Sequence, residues 1–307
     1  MKKVLVATEK PFAKAAVDGI KQIIETAGYK LELLENYTDN NQLLSAVADV
    51  DAIIIRSDIA SKEVFDAAKK LKIVVRAGAG YDNIDLAAAT ANGVVAMNTP
   101  GQNANAVAEL VFGMMILNAR KGYSGKDGIE LRGKTIGIHA YGNVGRLVAH
   151  IAKGFGMTVC AFDPFVDKKV VENDGVVYVD SIEKLYSGCD YVSLHIPATE
   201  KTIKSINYDL LSKMPANGVL INTARKEVID EAGLMKIMDE RAKFSYLSDI
   251  APSNIAELQS KFADRVFFTP KKIGAQTAEA NINAGIAAAK QIVNFLEKGD
   301  KTFQVNK

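Results

Sequence analysis

The chain has 307 residues, enough for two domains with separate cores, and an ordinary globular composition with 48% hydrophobic and 24% charged residues. A formal net charge of +2 argues against a nucleic-acid or other polyanion partner; the basic pairs Lys69–Lys70 and Lys168–Lys169 read as solvated faces. No apolar run approaches the ~20 residues of a membrane span, and Met1-Lys2-Lys3 leads straight into apolar Val4–Ala7 with no signal-peptide cleavage site.

Short apolar runs alternate with helical patterns almost throughout, which predicts α/β units with parallel sheets. In the first half the strands are expected at Lys3–Thr8, Lys30–Leu34, Ala52–Arg56, Lys72–Arg76 and Val94–Met97. Helices fit around Ala13–Ala27, Asn41–Ala48, Lys62–Lys70 and Leu86–Asn92. In the second half strands are expected at Thr135–Ala140, Thr158–Phe162, Tyr191–His195, Val219–Asn222, Tyr246–Asp249 and Val266–Phe268. Two longer helical patterns, Asn105–Lys121 and Glu279–Leu296, read as connectors. If the second returns to the first sheet, the first domain is discontinuous. The expected organisation is a substrate-binding domain of residues 1–100 plus 281–307 and a dinucleotide-binding domain of residues 101–280. Both are doubly wound parallel sheets, with a ligand cleft between them at the carboxyl ends of their strands. Cys160 and Cys189 lie in apolar strand-like runs and read as buried free thiols in a reducing cytoplasm.

The segment Thr135–Asp163 reads strand, glycine turn, helix, strand, acid. Its core is Gly137-Ile138-His139-Ala140-Tyr141-Gly142-Asn143-Val144-Gly145, and Asp163 stands 21 positions beyond Gly142. Such a turn lets backbone approach a pyrophosphate at a helix N-terminus, and an acid about 20 residues on receives the ribose hydroxyls of NAD. The first position of the pattern is Ala140, which is tolerable if its φ is negative.

Polar groups gather at predicted strand ends. Arg56 follows Ile53-Ile54-Ile55, Arg76 leads into Ala77-Gly78-Ala79-Gly80-Tyr81-Asp82, and Arg225 follows Ile221-Asn222-Thr223-Ala224. One arginine in such a place is usually a surface ion pair. Three of them suggest an anion site, because the planar guanidinium donates two parallel hydrogen bonds to a carboxylate or phosphate. Gly78 and Gly80 could bring backbone N–H groups to the same anion.

Five blocks in this order resemble the D-2-hydroxyacid dehydrogenases, and the resemblance spans essentially the whole chain. They are Arg76-Ala-Gly-Ala-Gly-Tyr-Asp-Asn-Ile-Asp85, Asn98-Thr-Pro-Gly-Gln-Asn103 with Ala108-Glu109-Leu110, Val192-Ser-Leu-His-Ile-Pro197, Ile221-Asn-Thr-Ala-Arg225 and Ile273-Gly-Ala-Gln-Thr277. The first two look most like the phosphoglycerate branch of that family. The resemblance implies hydride transfer between NAD and C2 of a 2-hydroxy acid. It implies Arg225 as clamp of the substrate carboxylate and carbonyl oxygen. Arg56, Arg76 and Asn103 would line the substrate pocket, and the Gly78–Tyr81 backbone, with Ala79 and Gly80, would hold the carboxylate. On the cofactor side, Tyr141, Gly142, Asn143 and Val144 form the pyrophosphate turn, Asp163 binds the adenosine ribose, His195 and Pro197 border the adenine, Thr223 lines the cofactor site, and Asp249 receives the nicotinamide amide.

Two departures from the family pattern stand out. The family's general acid/base is a His, oriented by a Glu; here the text is Thr269-Pro270-Lys271-Lys272-Ile273-Gly274, and the Glu expected five residues after Asp249 is Asn254. One count places Lys272 at the His position and another Lys271; the reading leans to Lys272. A neutral imidazole needs a carboxylate to fix its tautomer and raise its pKa, whereas a lysine already carries the proton that ketone reduction must deliver. The resemblance therefore implies NAD-dependent oxidation of D-3-phosphoglycerate to 3-phosphohydroxypyruvate for serine synthesis, with Lys as acid/base, in a cytoplasmic homodimer. No residue is assigned to a metal, and no nucleic-acid or membrane partner is expected. Alternatives are reduction of glyoxylate, hydroxypyruvate or another 2-keto acid, and an NAD-responsive binding protein that has lost catalysis. The text ends soon after the second connector helix, so feedback control through an extra domain is not expected.

Overall fold

The computed structural model describes residues 1–306. They fall into two compact units, one formed by Met1–Asn103 with the chain from Gln276 onward and the other by Ala104–Ala275. In chain order the elements are β1 (Lys3–Thr8), α1 (Lys14–Thr26), β2 (Lys30–Glu35), α2 (Asn40–Ala46), β3 (Ala52–Ile55), α3 (Lys62–Ala67), β4 (Ile73–Arg76), α4 (Leu86–Ala91), β5 (Val95–Asn98) and α5 (Ala104–Ala119). Then come β6 (Thr135–His139), α6 (Asn143–Gly154), β7 (Thr158–Phe162), α7 (Lys168–Asn173), β8 (Val177–Tyr178), α8 (Ile182–Gly188) and β9 (Tyr191–Leu194). The chain continues through α9 (Tyr208–Leu211), β10 (Val219–Asn222), α10 (Glu231–Glu240), β11 (Ser245–Ser248), α11 (Ile255–Phe262), β12 (Val266–Phe268) and α12 (Ala278–Lys298).

The first unit carries a five-stranded sheet in the order β2-β1-β3-β4-β5, and the second a seven-stranded sheet in the order β12-β11-β10-β9-β6-β7-β8. Every strand pair described is parallel. Central strands such as β3, Ala-Ile-Ile-Ile, are buried at every position, as a parallel sheet covered by helices on both faces requires. In each sheet the strand order reverses once, between β1 and β3 in the first and between β6 and β9 in the second. A doubly wound sheet opens its ligand crevice at such a point.

Helix α12 returns to the first unit. Ala284, Ala288 and Ile292 share a core with Ile20 and Ile24 of α1 and with Ile54 and Val75 of the sheet. The helices approach closely because Gly19 and Gly285 have no side chains; a Cβ on Gly285 would lie 3.0 Å from Ile20 Cδ1. Beyond α12 the chain covers the β5 edge. Asn306 accepts from Ala96 N at 2.7 Å and donates to Val94 O at 2.9 Å and to Thr90 Oγ1 at 3.0 Å. An open sheet edge is thereby satisfied.

The structure differs from the sequence expectations mainly at boundaries. β11 begins at Ser245, one residue early, and α3 stops at Ala67. The two-residue edge strand β8 was not anticipated; it lies in the apolar run Val176-Val177-Tyr178-Val179, with Val177 exposed at the sheet edge. Cys160 is half-buried, not buried, because its strand lies near that edge.

Asn306 is a buried amide with four side-chain partners, so Asn306→Ala leaves Ala96 N and Val94 O unpaired. The expected loss is about 1–3 kcal/mol of unfolding free energy, measured by urea denaturation.

Candidate active site

The carboxyl end of β6 is shaped by two residues. Ala140 has φ +82°, contrary to the expected negative value. An alanine in that region costs ~1–2 kcal/mol, and the fold imposes it because the Ala140 carbonyl turns toward helix α6. Gly145 makes the turn possible: a Cβ there would lie 2.3 Å from Ala140 O and 2.9 Å from Ile138 Cγ2. Gly142 is the N-cap of α6, with no side-chain cap and open space beside it. The first-turn N–H groups of Asn143 and Val144 have no intrahelical acceptors, which makes this helix start an anion seat.

Asp163 ends β7 and is 7% exposed. Its Oδ2 accepts from Tyr141 N at 2.8 Å and its Oδ1 from Phe165 N at 2.8 Å, so the acid pins the end of β7 to the glycine turn. Each oxygen keeps a lone pair for a further donor such as a ribose hydroxyl. Tyr141 departs from the sequence expectation. Its ring is 2% exposed and its hydroxyl donates to Asp174 at 3.1 Å, so its side chain belongs to the core and not to a ligand pocket.

At the end of β9, His195 N donates to His139 O at 2.9 Å, and His195 Nε2 is buried with no partner among the described residues. Burial pulls the His195 pKa down to about 3, and that of His139 to about 4. Both imidazoles are neutral at pH 7. Pro197 is exposed, and its carbonyl accepts from Thr202 Oγ1 at 2.5 Å.

The third cluster lies beyond β10 and β11. Asn222, fully buried, donates to Arg225 O at 3.0 Å and accepts from Ala224 N at 2.9 Å, which folds the Thr223-Ala224-Arg225 turn back on the strand. Arg225 Nη1 and Lys272 Nζ both donate to Ala224 O, at 2.9 and 3.1 Å. Two cations thus converge on one carbonyl. Asp249, also fully buried, accepts from Gly274 N at 2.8 Å through Oδ2, and its Oδ1 has no partner among the described residues. Burial raises its pKa, opposed by the Gly274 N–H and then by the Lys272 charge. Residue 274 must be glycine, since a Cβ there would lie 2.7 Å from Asp249 Oδ2. Thr223 Oγ1 is likewise buried without a partner among the described residues. Lys271 is exposed, and its backbone carbonyl is taken by Thr269 Oγ1. Asn254 is the N-cap of α11.

In the first unit, Arg76 ends β4 and lays its guanidinium over Gly78; a Cβ there would lie 1.7 Å from Arg76 Nη1. Arg76 Nε donates to Arg56 O at 3.0 Å. The Gly78 N–H is not available to a ligand, because it donates to Arg76 O, and Ala79 O accepts from Asn98 Nδ2. Arg56 is more committed than its strand-end position suggested. It donates to Asn281 Oδ1 at 2.7 Å and to the carbonyls of Lys10 and Pro11, and it stacks on Phe12. Gly80 and Asn103 are both half-buried, Asn103 in the turn before α5.

Sequence reading missed Asn222, Gly274 and Asp58. The first two lie inside the recognised blocks, where their signal was present. Asp58 is 4% exposed and accepts from Glu9 N, Tyr37 Oη and Arg56 N. Those partners come from separate segments, so no local pattern marks it.

Known proteins share this fold. Residues 101–271 match the family model described as D-isomer specific 2-hydroxyacid dehydrogenase, NAD binding domain. The chain belongs to the D-isomer specific 2-hydroxyacid dehydrogenase family. It is 36% identical over 296 residues to D-3-phosphoglycerate dehydrogenase of Methanocaldococcus jannaschii, covering 91% of this chain and 55% of that one. The chain therefore spans about half the length of that relative. It is 34% identical to hydroxypyruvate reductase of Thermotoga maritima over 288 residues, 87% of this chain and 92% of the relative. Among solved structures, NAD⁺-bound 3-phosphoglycerate dehydrogenase of Entamoeba histolytica superposes with a TM-score of 0.87 and 47% identity, covering 100% of this chain and 99% of that one.

NAD fits the second unit of this dehydrogenase-family chain. The uncapped start of α6 suits a pyrophosphate, and the orphaned Asp249 Oδ1 and Thr223 Oγ1 are buried polar atoms awaiting donors or acceptors.

Two predictions follow from this geometry. Gly145→Ala drives a Cβ into a backbone carbonyl and is expected to lower stability by about 1–3 kcal/mol, whereas Gly142→Ala, facing open space, keeps stability and weakens NADH binding. Thermal unfolding and fluorescence titration separate the two effects. A histidine whose folded pKa lies below its unfolded ~6.5 takes up a proton on unfolding. Its contribution is constant above pH 6.5 and turns destabilising as pH falls toward 4. Unfolding free energy is therefore expected to drop from pH 7 to pH 5, and His139→Phe to remove about 2 kcal/mol of that drop in paired urea titrations.

Proposed function

We propose that the chain is an NAD-dependent D-3-phosphoglycerate dehydrogenase in which Lys272 is the general acid/base and Arg225 the substrate clamp. The observation that carries this reading is the convergence of Arg225 Nη1 and Lys272 Nζ on Ala224 O. An ammonium beside a guanidinium matches what a 2-keto acid requires: a fork for the carboxylate and a proton donor for the neighbouring carbonyl oxygen.

Bound NAD supplies the hydride acceptor for oxidation of the C2 carbinol. Asp163 would hold its adenosine ribose, and the α6 start with Gly142, Asn143 and Val144 its pyrophosphate. His195 and Pro197 would border the adenine, and Asp249 and Thr223 would orient the nicotinamide end. Lys272 Nζ would take the hydroxyl proton in oxidation and return it in reduction. Arg225 would fix the carboxylate, so that the reacting carbon is held against one face of the cofactor. No histidine is needed, and hence no carboxylate to fix a tautomer, which agrees with Asn254 standing where a glutamate is expected. Lys271 is the weaker candidate, because it is the Lys272 ammonium that reaches the Ala224 carbonyl beside Arg225. In the first unit, the Arg76 guanidinium over Gly78 forms an anion corner suited to a substrate phosphate, with Gly80 and Asn103 as further contacts. Arg56 serves mainly to build that corner through its carbonyl.

A second reading is supported by the hydroxypyruvate reductase of Thermotoga maritima, whose length this chain nearly covers. Reduction of the unphosphorylated keto acid would use Arg225 and Lys272 in the same way and leave the anion corner idle.

NADH oxidation with 3-phosphohydroxypyruvate, hydroxypyruvate, glyoxylate and pyruvate decides between them. The phosphorylated substrate is expected to have the highest kcat/KM. Lys272→Ala should lower kcat by about 10²–10⁴, the usual worth of a positioned acid/base, while Lys271→Ala stays near wild type. Equal turnover in the two lysine variants would remove Lys272 from the mechanism. Preference for hydroxypyruvate would establish the second reading.

A further inference from the structure

The chain contains two cysteines, and the proposed reaction uses neither. Cys160 lies in β7, three residues before Asp163. Cys189 caps the C-terminus of α8, immediately before β9. The strands interpose β6 between them, yet the side chains meet. Cys160 is the ladder partner of Gly137 on β6. Ladder partners in a parallel sheet point to the same face, and adjacent strands run about 4.8 Å apart. The space over Gly137 is filled by Leu185 and Cys189: a Cβ on residue 137 would lie 2.9 Å from Leu185 Cγ and 3.0 Å from Cys189 Sγ. The absent side chain of Gly137 is thus the opening through which Cys189 reaches across to Cys160.

The two thiols also differ in acidity. Contact with the Cys189 thiol holds the Cys160 pKa down, to about 7, against the upward pull of burial, while Cys189 is pushed well up by the same contact and by its own burial. Cys160 is half-buried and Cys189 buried. A half-buried thiol of lowered pKa beside a buried protonated one is the arrangement of an attacking and a resolving cysteine.

We propose that Cys160 and Cys189 form a reversible disulfide that weakens NAD(H) binding by moving Asp163. The oxidant is a peroxide. The Cys160 thiolate attacks one peroxide oxygen, breaking the O–O bond and releasing hydroxide, which leaves a sulfenic acid. The Cys189 sulfur then displaces the sulfenic oxygen as water, its thiol proton going to that leaving group. The two sulfurs lose two electrons and the peroxide gains them. A dithiol reductant reverses the step by exchange. Closing two thiols from van der Waals contact to a bond of about 2.05 Å shifts the flanking backbone by on the order of 1 Å. Along β7 that shift reaches Asp163, whose two oxygens are fixed on Tyr141 N and Phe165 N. This inference rests on the reading of Asp163 as the ribose acceptor.

The test treats the whole chain with hydrogen peroxide, alkylates remaining thiols and weighs the protein by mass spectrometry, with NADH titration by fluorescence before and after dithiothreitol. Expected are loss of two hydrogens with no alkylation, an unchanged monomer band on a non-reducing gel, and NADH binding weakened about fivefold or more, within the range of site-to-site coupling. Dithiothreitol restores the affinity. Cys189→Ser should keep full NADH affinity, become a sulfenic or higher acid at Cys160, and form no bridge. Two alkylated thiols after treatment, a disulfide between two chains, or a bridged protein with unaltered NADH affinity would each overturn the proposal. Asp163→Ala separates the underlying reading: NADH affinity equal to wild type in that variant would remove Asp163 as ribose acceptor and, with it, the route by which the disulfide acts.

Discussion

The candidate-site end of the second sheet depends on one buried amide. Asn222 is the last residue of β10 and has no exposed surface. Its Nδ2 holds Arg225 O and Tyr246 Oη, its Oδ1 holds Ala224 N, and its backbone carbonyl accepts from Ser248 Oγ and Asp249 N. One side chain therefore fixes the turn that presents Arg225, the carbonyl on which Arg225 and Lys272 converge, and the start of the loop that carries Asp249. An amide suits the place because it donates and accepts at once. An aspartate would lose the donors, and an aliphatic residue would leave several buried backbone groups unpaired.

The electrostatics around this amide are balanced, not neutral. Two cations share the Ala224 carbonyl, and the nearest acid, Asp249, is buried with one oxygen given to Gly274 N. Burial disfavours the Asp249 carboxylate, and the nearby Lys272 and Arg225 charges favour it. The cluster thus sets two cations beside an acid whose Oδ1 has no partner among the described residues. The first unit holds two strand-end arginines. There Arg56 is absorbed into packing and hydrogen bonding, while Arg76 donates to the Arg56 carbonyl and lays its guanidinium over Gly78. Strand-end arginines that look alike in the text thus end in different surroundings.

The glycine turn shows how strain and necessity are distributed. The residue that the fold forbids from carrying a side chain is Gly145, where helix α6 crosses the end of β6. Ala140 carries the positive φ instead of a glycine. The pattern in the text was imperfect at a position where the alanine is strained and intact at the one that admits no side chain.

Much of this was legible in the sequence. Alternating apolar and helical runs located eleven of the strands to within a residue or so, because buried parallel strands are continuous hydrophobic runs. The spacing from Gly142 to Asp163 marked a cofactor turn, and the ordered blocks marked the family. Other features were not legible. That Tyr141 is core, that Arg56 is committed, that Lys272 and Arg225 share the Ala224 carbonyl, and that Cys189 reaches Cys160 over Gly137 all depend on residues far apart in the chain. Sequence alone determined the elements and the chemistry available, since both follow from local periodicity and residue type. Only the tertiary structure decided which side chains share a carbonyl or a cavity, because burial and direction are set by packing between segments that the text keeps apart.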